Sequence, residues 1–229
     1  EAKKKYGITN EFVKNITRES QLLKKELSDL SWPIVLFLMI VCVIPLGTTL
    51  NQNDLINIVS GVFWVSILLV MIFASNRLLY PEFNQGVLDQ LIVKKRSLSI
   101  YCFIKAIINW IFVGLPISVL SLPLSMAYGL PGPSALAMGT SLAIGSLFIS
   151  GALIFFSSLG LMARQAQTVI SLLSLPILIP LMIFGSAIVR GTLDGASVNN
   201  LYLLLAGMSL FCILTAPLIC EKLIVLASE

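Results

Sequence analysis

Apolar residues in this chain come in long unbroken runs, not in the short alternations of a half-buried strand. Residues 32–50 and 55–75 carry no charge, and residues 106–163 extend over 58 positions without one. At a rise of about 1.5 Å per residue, roughly 20 apolar residues cross the hydrocarbon core of a bilayer. The longest run is therefore two helices. The break between them reads Tyr128-Gly129-Leu130-Pro131-Gly132-Pro133, a cluster of helix breakers. The pattern predicts an all-α polytopic membrane protein with six spans at about 32–50, 55–75, 98–127, 134–161, 169–189 and 201–226. Prolines at 116 and 123 are expected to bend the third span.

Ahead of the first span, Leu23, Leu27 and Leu30 recur at helical spacing while Lys24, Lys25, Glu26 and Asp29 occupy other faces. That pattern predicts an amphipathic helix over residues 21–31, lying on the membrane surface and ending at Trp32. Residues 1–17 show no such stripe, and residues 1–20 read as an N-terminal extension. The first thirty residues are charged, which leaves the first span as the insertion signal.

Composition strengthens the membrane reading. Hydrophobic residues make up 57% of the 229 positions, charged residues only 11%, and mean hydropathy is +0.97. Soluble domains carry about 25% charged residues. With the N-terminus in the cytoplasm, thirteen of the fifteen Lys and Arg fall on the inner side, Arg190 falls outside and Lys105 lies within the third span. The positive-inside rule therefore orients both termini to the cytoplasm.

Several chemistries are excluded. The chain has no histidine and no phosphate-binding loop, and its predicted spans contain no Asp or Glu before the cytoplasmic end of the last. No Ser/His/Asp or Cys/His nucleophile can be assembled, so a catalytic role is not expected. An ion-coupled transporter is disfavoured for want of a proton relay. Cys42, Cys102, Cys212 and Cys220 lie in apolar runs without metal-ligand spacing and read as small buried hydrophobes. Any energy source lies in another chain.

The loop over 76–97 holds most of the interior charge. Pro81 can start a short helix, Glu82 suits its positive end, and Leu88, Leu91 and Ile92 supply an apolar edge. Such a helix either docks into a groove on a partner or lies on lipid. Lys105 either snorkels to the headgroups, or anchors an anionic group such as a carboxylate, phospholipid or haem propionate (a role Arg77 could share), or pairs with a neighbouring subunit. Ala137, Ser141 and Gly145 form a small-residue stripe for helix packing, within the chain or against a neighbour. Pro176, Pro180 and Gly185 mark the fifth span as a candidate hinge.

Several of these stretches together resemble the haem exporter B family (CcmB). The segment Leu175-Pro176-Ile177-Leu178-Ile179-Pro180-Leu181-Met182-Ile183-Phe184-Gly185 is similar to its signature. So are Gly61-Val62-Phe63-Trp64-Val65, the loop residues Phe83, Gly86, Leu88, Asp89, Gln90 and Leu91, and Lys105, Trp110, Gly114, Leu115, Pro116 and Pro123 of the third span. The likeness covers residues 21–226. Departures are Asn76, Gln85 and Asn109, where the family often has Asp, an acidic residue and His respectively.

The resemblance implies a type-2 ABC permease fold in the bacterial inner membrane, working in c-type cytochrome biogenesis. It implies a separate cytoplasmic ATPase (CcmA) that alone handles ATP and docks on the 76–97 loop through Glu82, Phe83, Gly86, Leu88, Asp89, Gln90 and Leu91. It further implies the haem-handling partners CcmC and CcmD, the periplasmic chaperone CcmE, a second copy of the chain, and haem as a transient substrate. Three readings of the role stand side by side: haem export or ATP-driven release of the loaded chaperone, a non-transporting scaffold, and a permease for another substrate such as a lipid-linked glycan.

Overall fold

A computed structural model describes residues 27–47, 52–75, 78–93, 97–162 and 173–228. Among them every regular element is a helix, with no strand. In lipid a helix satisfies its backbone polar groups from within, which is why apolar runs of this length fold this way. The long helices are α1 (Leu27–Gly47), α2 (Gln52–Ser75), a rod made of α5 (Leu98–Asn109) and α6 (Leu115–Ala127), α7 (Gly132–Met162), α8 (Leu175–Leu193) and α9 (Asn199–Ser228). Between α2 and α5 lie two short helices, α3 (Tyr80–Asn84) and α4 (Val87–Val93).

Among the described residues, five helices are long and apolar enough to cross a membrane, and a further apolar stretch, Trp32–Gly47, is shorter. Helix α1 runs without interruption from Leu27 into that stretch, so no backbone break separates the expected surface helix from the first span. Residues 21–26 of the expected surface helix, and the expected start of the fifth span at 169, lie outside the described residues.

Helix α7 is the axis of the bundle. It packs against α2, α5, α6, α8 and α9. A helix surrounded by protein must be approachable from every side, and α7 meets this with Gly, Ala and Ser. Three of its glycines face three different neighbours. A Cβ at Gly139 would stand 2.7 Å from the Leu122 side chain, one at Gly145 2.2 Å from Trp64, and one at Gly151 3.1 Å from Cys212 Sγ. Ala137 and Ser141 are buried along the same helix, so the small-residue stripe is spent inside the chain.

The third span shows why its prolines fall where they do. Pro116 has no N–H to give and its ring crowds the preceding turn. The helix widens just before it into a π-helical turn, Trp110–Gly114, in which Leu115 N–H reaches back to Trp110 O. Trp110 Nε1 donates to the Ala143 carbonyl of α7 at 2.9 Å, and Asn109 Nδ2 donates to Ser150 Oγ at 3.1 Å. The widened turn is thus pinned to the central helix. Pro45 creates a similar debt in α1, because the Val41 carbonyl loses its usual helical donor. Tyr128 Oη, from the turn after α6, donates to that carbonyl. Edge-to-face contacts of Phe63 with Phe37 (5.8 Å) and Tyr128 (5.7 Å) close this corner.

Candidate functional site

Over its described residues 78–93, the loop expected at 76–97 holds two short helices, not one. Pro81 lies in the first turn of α3, as the sequence leads one to expect, but α3 stops at Asn84. Gly86 then adopts φ +69°, a left-handed conformation that few side chains tolerate, and the chain turns into α4. At the far end Ser97 caps α5, accepting from Ile100 N–H at 3.4 Å.

Of the residues expected to face a partner, Leu88 is fully buried in the chain's own core, and Phe83 and Leu91 pack half-buried against it. The apolar edge of α4 therefore closes onto this bundle. What it leaves outward is Asp89, Gln90 and Val93, the last 81% exposed. An amphipathic pattern identifies an apolar face but not what covers it.

Glu82 turns away from the outward edge. Its Oε1 pairs with Lys105 Nζ and its Oε2 accepts from Tyr101 Oη, both on α5. Lys105 Nζ also lies 5.9 Å from the centroid of the Tyr101 ring. The Lys105 and Glu82 side chains retain only 11% and 15% of their exposure, so water screens this pair weakly. Lys105, a candidate for an external anion, thus meets its carboxylate inside the chain. Arg77, the other candidate, lies outside the described residues. Tyr101 carried no assignment from sequence. Its i, i+4 spacing to Lys105 was the available signal, since residues so placed share a helix face.

The fifth-span residues also separate by role. Pro176 sits in the first turn of α8, where a proline forfeits no helical bond, so it marks the helix start and not a bend. Pro180 is interior and exposed. Gly185 is a slot: a Cβ there would stand 1.8 Å from Trp64 Cζ2. The Trp64 indole of α2 is clamped between Gly185 of α8 and Gly145 of α7, with no exposure at all. Its Nε1, and the Ser60 hydroxyl one turn earlier, are buried without hydrogen-bond partners. Sequence reading placed Gly185 and Trp64 in separate motifs without joining them.

These features define an all-α polytopic membrane protein with a closely packed central helix and a structured two-helix loop locked to its third span. The sequence profile of CcmB protein matches residues 10–224. The chain belongs to the CcmB family. It is 30% identical over 185 residues to heme exporter protein B of Rhodobacter capsulatus, covering 80% of this chain and 84% of that one. It is 26% identical over 212 residues to heme exporter protein B of Pseudomonas aeruginosa, covering 92% and 94%. The protein of the same name from Paracoccus denitrificans is 27% identical over 202 residues, covering 88% and 93%.

Proposed function

We propose that the chain is the membrane subunit of an ABC-type haem export complex serving c-type cytochrome biogenesis, with no catalytic site of its own. The observation that carries this is the loop: two short helices anchored to the bundle by Leu88 and Glu82, presenting Asp89, Gln90 and Val93 outward. A structured, outward-facing loop on a membrane domain is suited to a groove on a partner. The partner is a cytoplasmic ATPase of the CcmA type, which alone binds ATP. Both termini and this loop face the cytoplasm, in keeping with the thirteen inner basic residues against one outside. CcmC, CcmD and a second copy of the chain complete the assembly, which acts on the chaperone CcmE, and haem is a passing substrate.

Val93→Asp tests the dock. A substitution at so exposed a position shifts stability by about 0.5 kcal/mol or less, so the chain stays in the membrane while copurification of the ATPase falls. Unchanged copurification contradicts the reading. Two routes remain for ATP-driven work, conduction of haem and release of the loaded chaperone. The complex in sealed vesicles separates them: ATP-dependent haem flux supports conduction, and chaperone release without flux supports the second route.

A further inference from the structure

Building on the reading of the loop as the ATPase dock, we propose that Glu82, Tyr101 and Lys105 are the transmission element of the complex. They are positioning residues that convert displacement of the loop into displacement of the third span.

The loop is held to the bundle in two ways. Leu88 contributes an apolar contact, which has no directional preference and lets one surface slide on another. Glu82 contributes a directional one. Each carboxylate oxygen has its own partner, and the two partners stand one helical turn apart on α5. A carboxylate engaged through both oxygens is fixed in rotation as well as in place. Any shift of α3 must then carry α5 with it or break a weakly screened ion pair.

The load has a defined destination. Helix α5 continues from Lys105 to Asn109 and there meets the π-helical turn Trp110–Gly114. Single π-helical turns inside α-helices occur frequently at functional sites. At the entry to that turn, Asn109 and Trp110 are tied to Ser150 and Ala143 of the central helix. A push on Glu82 thus travels along a stiff helix and is resisted at a joint. The cluster faces inward, away from the docking edge, so its role is separable from ATPase capture.

The test uses the full complex, with four variants: Glu82→Lys, Lys105→Glu, the double exchange, and Tyr101→Phe. Three quantities are read together: ATPase copurification, ATP hydrolysis by the complex, and maturation of c-type cytochromes. Each single reversal is expected to keep the ATPase bound and hydrolysing. Maturation falls within the range of about 5- to 150-fold that coupling free energies span. The double exchange recovers most of it, because a tyrosine hydroxyl can accept from a lysine as readily as it donates to a carboxylate. Tyr101→Phe keeps the ion pair, removes one bond and gives a smaller loss, which guards against reversals that merely misfold. Single reversals that mature cytochromes normally overturn the proposal. So does a double exchange that reaches the membrane at wild-type level without recovery, or loss of ATPase binding in the single variants. A wild-type chain that captures no ATPase removes the docking reading itself, and this proposal with it.

Discussion

Helix α2 and the loop that follows it are secured by opposite means. In mid-bundle, Trp64 is held by shape, its ring wedged between two glycines with no space for a methyl group on either side. At the loop, Glu82 is held by charge and hydrogen bonding to two side chains of α5. A steric lock transmits strain but has one good arrangement, since close-packed interiors do not deform continuously. A polar clamp is directional and can be reset by exchanging partners. The contrast puts rigidity at the centre of the bundle and fits the proposed input of motion at its loop end.

The largest effect expected from breaking this contrast comes from Trp64→Ala. Emptying the slot should cost about 3–5 kcal/mol, read as a drop in thermal unfolding midpoint of the purified chain in detergent. Gly185→Ala attacks the same lock from the other side. Overpacking of this kind costs about 1–3 kcal/mol. Trp64→Phe combined with Gly185→Ala should be less destabilised than the sum of the two, because the smaller ring makes room. Strict additivity would show that the two residues do not share a slot.

Tyr101→Phe should cost about 0.5–1.5 kcal/mol, the net worth of one hydrogen bond, while lowering cytochrome maturation by more than that stability loss explains. If the functional loss simply tracks stability, the clamp is structural only. Val93→Asp is expected to be the mildest in stability, within about 0.5 kcal/mol, yet to reduce ATPase copurification. That ordering sharpens the division: the bundle governs folding, and the loop governs the partner.

Much of the architecture was legible in the sequence because burial in lipid leaves a length signal. The break at 128–133 and the separation of α6 from α7 came from charge-free length and helix breakers alone. The pairings were not legible, because periodicity says which residues share a face but not which faces meet. Glu82 and Lys105 were each singled out, yet for different external partners. Leu88 was read as an outward contact and is instead covered by its own bundle. Gly185 read as a hinge, since helical glycine signals either flexibility or close approach, and only the position of Trp64 decides between them. The bond from Tyr128 to Val41 spans 87 positions, and only the missing donor at Pro45 hinted that some partner was needed.

If the Glu82 clamp transmits motion, the loop and the third span move as one body. Spin labels at Gln90 and Ile100, both exposed positions, would measure this in the complex with the exposed Cys42 replaced by serine. The distance between them is then expected to be the same with and without bound nucleotide in the wild-type chain, and to become nucleotide-dependent in Glu82→Gln. A wild-type distance that changes with nucleotide, by more than the width of its own distribution, would show that the two move separately.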